Sequence, residues 1–257
     1  MNRFGLSVLF IGTSLMTTAC GRKGPLIYPD MMVPAAPAAV SAQQSGADVK
    51  LQFILSGKDL GGRPVQGLSG VKISRRVNET SQKDVCRSCT TDYLQFKTLY
   101  LDRLPTDTQR FGNRLLMFDR DVSAGKSYSY SIVPFTADGV HGSVSTTADV
   151  RVTQSLPAPV LAIESLPAEI RLQISSQLPI TGRLLLGYNL YRRVAGSARS
   201  SLPINTQPVN SNVYVDTAID RGVKYQYSAR AVVIMASGEV AESLESLEVE
   251  GMLKDYE

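Results

Sequence analysis

Four short blocks of sequence occur twice in this chain, in the same order. They pair residues 50–53 with 171–174, 71–77 with 188–194, 118–131 with 215–228, and 137–139 with 236–238. Repetition in a fixed order indicates two copies of one domain. The separation between copies falls from 121 residues (50 to 171) to 97 residues (128 to 225). The first copy therefore carries an insertion between its second and third blocks.

The repeated blocks have the pattern of β-strands. Apolar and polar residues alternate at the start of Val49–Leu55, and again in Val71–Ser74 and Tyr128–Ile132, as half-buried strands require. Glycine-containing turns separate these segments. Val240–Leu247 has apolar residues at mixed spacing, but its place after the Ser237-Gly238 turn favours a strand. These patterns predict an all-β fold.

One turn-plus-strand block resembles the tyrosine corner of fibronectin type III domains. Gly125 and Tyr128 match it in the first copy, and Gly222 and Tyr225 match it in the second. The resemblance implies two tandem immunoglobulin-like β-sandwiches, with each tyrosine hydroxyl bonded to upstream backbone. The tryptophan usual in strand B of that family is missing, because the chain has no Trp. We expect four apolar residues to fill that volume: Leu51, Phe53, Leu172 and Ile174.

The N-terminus has the layout of a secretory signal. An uncharged run, Phe4–Met16, follows Arg3, and small residues then precede Cys20; the run is too short to span a bilayer. This arrangement resembles a bacterial lipoprotein signal. The resemblance implies that Cys20 carries a diacylglycerol and an N-acyl chain; we predict no cofactor. The alternative is an ordinary secreted protein cut near Ala19, which would leave Cys20 as a free thiol.

The residues after Cys20 carry a second resemblance. Cys20–Leu26, followed by Tyr28-Pro29, is similar to the start of the small lipoprotein that assists maturation of the lipopolysaccharide translocon. Gly21, rather than Asp, resembles lipoproteins sorted to the outer membrane. The resemblances imply attachment to the outer membrane, which we place on its periplasmic face, and an envelope protein partner. Arg22 and Lys23 would lie among lipid head groups, as a specific contact or as a basic seat for the anchor.

Composition and repeat together give a domain plan. Pro25–Ala47 is rich in Pro and Ala without any periodic pattern, which is typical of an extended tether. We predict a signal peptide at 1–19, a lipid anchor and flexible tether at 20–47, a first domain at 48–153, a linker at 154–159, a second domain at 160–251 and a C-terminal tail at 252–257.

Cys86 and Cys89 lie in the insertion of the first domain. If Cys20 carries lipid, these two thiols form a local disulfide most simply in an oxidising compartment. A redox pair would need a helix N-terminus after a strand, whereas the flanking residues are polar and loop-like. A zinc site needs about four ligands, and the chain adds His141 as its single histidine.

The sequence contains no motif that specifies catalysis. His141 lacks a partner base or nucleophile motif, and Asp119 and Asp121 recur as the single Asp216, which favours a turn or edge role. We therefore predict a non-enzymatic binding or scaffold lipoprotein. The alternatives are polysaccharide binding and redox activity of Cys86 and Cys89.

Charge gives one further candidate surface. The formal net charge of +4 is small and spread along the chain, so we predict no nucleic-acid partner. Paired arginines end a strand in both copies, namely Arg75-Arg76 and Arg192-Arg193. They are either solvated surface or a shared contact for an acidic partner or lipid phosphates. The sequence sets no oligomeric state.

Overall fold

The computed structural model describes residues 28–78, 93–176 and 183–255. Within these ranges, no helix is both long and apolar enough to cross a bilayer. A 3-10 helix, Pro29–Met32, precedes the strands. The strands are β1 Ala38–Ser45, β2 Asp48–Ile54, β3 Leu68–Asn78, β4 Leu94–Tyr100, β5 Thr108–Phe111, β6 Arg114–Asp119, β7 Ser127–Thr136, β8 Ala148–Arg151, β9 Val160–Ser165, β10 Ile170–Ser175, β11 Leu184–Val194, β12 Val213–Asp216, β13 Tyr225–Ile234, β14 Val240–Glu242 and β15 Val249–Gly251.

The first copy forms a β-sandwich. β1, β2, β6 and β5 lie side by side in one layer, and β4, β3, β7 and β8 form the facing layer. Because successive side chains of a strand point to opposite faces, alternate residues of β2 fill the space between the layers. Val49, Leu51 and Phe53 are fully buried there and pack with Tyr130 and Ile132 of β7.

The second copy repeats this arrangement. β9, β10 and β12 form one layer, while β11 and β13 form the other with β14 and β15 at the edge of β13. Leu172 and Ile174 of β10 are buried against Tyr227. The prediction of an all-β fold built from immunoglobulin-like sandwiches is confirmed, and apolar side chains of β2 and β10 occupy both cores.

The flexible tether predicted up to residue 47 is wrong for residues 28–47. β1 lies between β2 and β14 inside a sheet, and Pro34 and Pro37 are buried. Pro34 also accepts a backbone hydrogen bond from Ser143 at 2.9 Å. Val40 and Ala42 pack against the first core, so these small residues form a partly buried strand of the sandwich. The first domain therefore begins before residue 48. The prediction missed this strand because its Ala and Ser content resembles that of a linker.

The segment that precedes the last strand of each domain contains a further repeat. The Ser145 hydroxyl accepts a hydrogen bond from the backbone of Ile132, and Ser246 does the same for Ala229, both at 3.0 Å. The predicted strand over 240–247 is correct only for Val240–Glu242, since residues 243–248 lie outside any strand. In both segments a serine that lies outside any strand therefore accepts, through its hydroxyl, the hydrogen bond of a backbone N–H group of β7 or β13.

The two sandwiches are joined through their sheets. β1 pairs with β14 in parallel, with Gln44 opposite Ala241 and Ser45 opposite Glu242. An eight-stranded sheet thus runs from β11 of the second copy to β5 of the first. In the predicted linker, Leu156 is buried with Val233, Met235 and Ala241. The connection therefore has a core of its own.

Candidate functional site at the interdomain junction

The junction is centred on the carboxylate of Glu242, which is almost fully buried at 1% exposure. From the first domain it accepts hydrogen bonds from the Lys50 ammonium and the Ser45 hydroxyl, each at 2.6 Å. From the second domain it accepts bonds from the Asn189 amide at 2.7 Å and the Tyr191 hydroxyl at 3.4 Å. One side chain therefore links both domains by charge-assisted contacts.

The electrostatics keep Glu242 ionised. Burial raises the pKa of this carboxyl, but the Lys50 charge and the hydrogen bonds from Lys50, Ser45 and Asn189 outweigh burial and lower the pKa overall. Burial and the neighbouring Glu242 charge raise the pKa of the Tyr191 phenol. Tyr191 therefore remains a protonated donor toward an ionised acceptor.

Contacts on the outer face of the first sandwich extend the junction. The Gln109 amide donates to the Arg199 carbonyl at 2.6 Å and accepts from the Ser201 backbone at 2.7 Å. Leu116 of β6 points away from the first core, because its neighbours Leu115 and Met117 face it. Leu116 is nevertheless only 1% exposed. The second domain thus covers part of this face.

Clefts open along the junction, and two of them adjoin residues 198–206 of the second domain. The first, of about 300 Å³, is lined by charged side chains that include Asp48, Arg120, Arg199, Arg230 and Glu245. Arg199 and Arg230 both pair with Glu245, and Arg120 lies 3.8 Å from Asp48. The charges of this cleft are therefore largely neutralised internally. The second cleft, of about 480 Å³, combines strands β1, β2 and β6 with residues 201–206.

Arg75 and Arg192, predicted as part of a contact surface, make internal ion pairs instead. The Arg75 guanidinium bonds to Asp119 and Asp121, each at 2.8 Å, and lies 4.4 Å from the centre of the Phe96 ring. The Arg192 guanidinium bonds to both carboxylate oxygens of Asp216, at 3.0 and 2.8 Å. Both guanidinium groups are thus engaged by acceptors of their own domains.

A tyrosine completes this arrangement in each domain. The Tyr130 hydroxyl donates to Asp119 at 2.8 Å, and the Tyr227 hydroxyl donates to Asp216 at 3.0 Å. Asp119 is fully buried, so its role is the neutralisation of Arg75 within the core. The Arg–Asp–Tyr cluster is a repeated structural unit that the sequence blocks contained without revealing its geometry.

The second arginine of each pair is also engaged. Arg76 is 6% exposed, donates to the Asn78 side chain at 2.8 Å and lies 4.8 Å from the Tyr93 ring centre. Arg193 donates to both carboxylate oxygens of Glu248, at 3.1 and 2.8 Å. The guanidinium groups of both pairs are therefore engaged by intramolecular acceptors and rings, and a shared arginine surface for an acidic partner stays a prediction.

The structure contains the hydrogen bonds expected of tyrosine corners. The Tyr128 hydroxyl accepts from the backbone of Ser123 at 2.9 Å. The Tyr225 hydroxyl accepts from the backbone of Asp220 at 3.1 Å. Both tyrosines are buried, so each bond fixes a turn against the strand that follows it.

Other candidate residues lie elsewhere. Cys20, Arg22, Lys23, Cys86 and Cys89 fall outside the described residues. His141 is exposed, and its Nε2 lies 3.1 Å from the Lys72 ammonium nitrogen. In residues 28–78, 93–176 and 183–255, no group of three or more His, Cys, Asp or Glu is arranged to hold a metal ion.

Fold and junction together define a tandem pair of immunoglobulin-like β-sandwiches. No protein-family model matches the sequence, and no curated protein matches it. Among solved structures, the chain is similar to the crystal structure of chicken CNTN1 FN1-FN3 domains, with 14% identity, 86% of this chain and 67% of that chain covered, and a TM-score of 0.32. The fold assignment rests on the strand topology and the tyrosine corners.

Proposed function

We propose that this chain is a non-catalytic, lipid-anchored binding and scaffold module of a bacterial outer membrane, whose two β-sandwiches act as one rigid body. The buried Glu242 network at the shared sheet is the observation that carries this proposal. A scaffold must hold its contact surfaces at a fixed spacing. Continuous backbone pairing and a buried ion pair restrict the bending that tandem domains otherwise show.

A finer proposal concerns location and partner. The lipoprotein-like signal and Gly21 support attachment of Cys20 to the periplasmic face of the outer membrane. The resemblance over Cys20–Leu26 supports the lipopolysaccharide translocon or its assembly machinery as the partner. Arg22 and Lys23 would then lie at the head-group layer, where basic residues attract lipid phosphates.

The anchor is tested by two changes at the N-terminus. Cys20→Ala should abolish incorporation of an alkyne-labelled palmitate in cells, because the acylated thiol is removed. Replacing residues 1–20 with a conventional cleaved secretory leader should move the protein from the membrane fraction to the soluble periplasm, since several acyl chains together supply stable anchoring. An unlabelled wild-type protein, or a membrane-bound leader variant, would contradict the proposed anchor.

Partner binding is tested by photo-crosslinking in living cells. A photoreactive residue at exposed Leu94 or Leu247 of the full-length chain should capture one envelope protein, identified by mass spectrometry. Lys50→Glu places like charges together at the junction, so it should separate the domains and reduce capture severalfold. Capture unaffected by Lys50→Glu would count against the rigid-body role. Consistent capture of a protein unrelated to lipopolysaccharide transport would remove the finer proposal alone.

A further inference from the structure

We infer that the second junction cleft binds a sugar carrying one anionic group. Its floor is the outer face of β1, β2 and β6, and its wall is residues 201–206 of the second domain. The volume of about 480 Å³ lies within the range of small-molecule sites. This inference uses the docking of the two domains and is independent of the lipid anchor and of the protein partner.

The cleft contains polar side chains whose hydrogen-bonding groups are uncommitted. Within the described part of the chain, the side chains that line it without a hydrogen bond or ion pair of their own are those of Ser41, Gln43, Gln52, Arg114, Ser201 and Thr206. Carboxamides and hydroxyls both donate and accept hydrogen bonds. Sugar hydroxyls have the same dual capacity, so this lining suits a polyhydroxylated ligand better than an apolar one.

The charge of the cleft selects an anion. No Asp or Glu is among its lining residues, and the positive charge of Lys50 is neutralised by Glu242 at 2.6 Å. Arg114 is exposed and makes no ion pair within the described residues. Its planar guanidinium can hold one carboxylate or phosphate through parallel hydrogen bonds. The cleft therefore presents one uncompensated positive charge beside neutral polar groups.

The topology disfavours an extended peptide. Peptides commonly bind sheets by adding a strand to a free edge. Here β1 lies between β14 and β2, β2 lies between β1 and β6, and β6 lies between β2 and β5. The backbone groups of the cleft floor are therefore already paired, and recognition must come from side chains. The wall formed by residues 201–206 is held in place by Asn189 and Asn205. Both make hydrogen bonds inside the second domain, and the bond of Asn189 goes to Glu242.

The test uses the full-length protein in detergent micelles and saturation-transfer NMR of three sugars. Maltose 1-phosphate and a glucuronate-containing disaccharide supply the two kinds of anion, and maltose is the matched neutral sugar. We expect the anionic sugars to bind more tightly than maltose, with the stronger of the two identifying the preferred anion. Arg114→Ala should weaken the preferred anionic sugar roughly tenfold, the effect of losing a charge-assisted contact.

Arg110→Ala is the matched control, because Arg110 is an exposed arginine on neighbouring β5 and does not line the cleft. It should leave binding unchanged. Gln52→Leu should weaken all three sugars, since it removes hydroxyl contacts and leaves the charge in place. Far-UV circular dichroism verifies that each variant is folded. The inference is overturned if no sugar binds at millimolar concentration, or if maltose binds as tightly as the anionic sugars. It is also overturned if folded Arg114→Ala or Gln52→Leu binds like wild type. Tighter binding of an acidic tetrapeptide than of both anionic sugars would overturn it as well.

Discussion

Replacing Glu242 with alanine should lower the free energy of unfolding by about 3–5 kcal/mol, the range measured when one partner of a buried ion pair is removed. The change leaves the Lys50 ammonium, which is 12% exposed, without its counter-charge. It also removes the acceptor of the Ser45 and Asn189 side chains. Urea denaturation should show the single transition of the docked domains split into two, because the link between them is lost.

Glu250→Ala is the control for this experiment. Glu250 pairs with Lys224 at 3.2 Å, but both side chains are largely exposed to solvent, where ion pairs add little stability. The control should therefore leave the unfolding curve nearly unchanged. Equal effects of Glu242→Ala and Glu250→Ala would show that the junction contributes no more than a surface contact.

The same carboxylate should make docking sensitive to acid. The pKa of Glu242 in the folded protein is lowered from its ordinary value of 4.5, so the folded state favours the ionised form. The free energy of unfolding that ionised Glu242 contributes is then fully present above pH 4.5 and is lost as the pH falls through the lowered pKa. Glu242→Gln should reduce the dependence of the urea midpoint on pH below 4.5.

The repeat explains why the fold could be predicted from the sequence. Block order aligned strand β3 with β11 and strand β7 with β13, and the alternating residues Leu51 and Phe53 identified one inward face of β2. Local pattern and turn chemistry determine which strands form and which side of each faces the core. These features act over a few residues, so they are visible in a single sequence.

The docking of the domains could not be predicted in this way. Glu242 falls where the first copy has residues 141–143, which include no carboxylate, so the repeat gave no signal for it. Its partner Lys50 lies on the side of β2 that faces away from the first core and in the sequence resembles an ordinary surface lysine. Only the parallel pairing of β1 with β14 brings them together. β1 itself was missed because only Val40 and Ala42 of this strand pack against the first core, and its remaining small and polar residues resemble a linker in composition.

The acceptors of the arginine pairs could not be predicted for a related reason. A repeated Arg-Arg dipeptide at a strand end does not specify its acceptors. Asp119 reaches Arg75 from 44 positions along the chain, and Asp216 reaches Arg192 from 24 positions. Sequence patterns identify charge, whereas the tertiary fold decides whether that charge meets a partner inside the molecule or outside it.

The Arg–Asp–Tyr clusters give the second large expected effect. Asp119→Ala should destabilise the first domain by about 3–5 kcal/mol, because it leaves the Arg75 guanidinium and the buried Tyr130 hydroxyl without their shared acceptor. Asp216→Ala should have a similar effect on the second domain through Arg192 and Tyr227. Thermal unfolding followed by near-ultraviolet circular dichroism of the tyrosines measures both losses.

Asp121→Ala tests whether the cluster stabilises the domain through its buried hydrogen bonds or only through negative charge near Arg75. Asp121 also bonds to Arg75 at 2.8 Å, but its side chain is 86% exposed, and water replaces the lost contact. Its removal should change stability little, whereas Tyr130→Phe, which deletes one bond to buried Asp119, should cost about 1.5–3 kcal/mol. If Asp119→Ala were no more harmful than Asp121→Ala, the repeated cluster would be a surface ion pair rather than part of the core. The order Asp121→Ala, Tyr130→Phe, Asp119→Ala in increasing damage follows from the number of hydrogen bonds to buried Asp119 that each change removes.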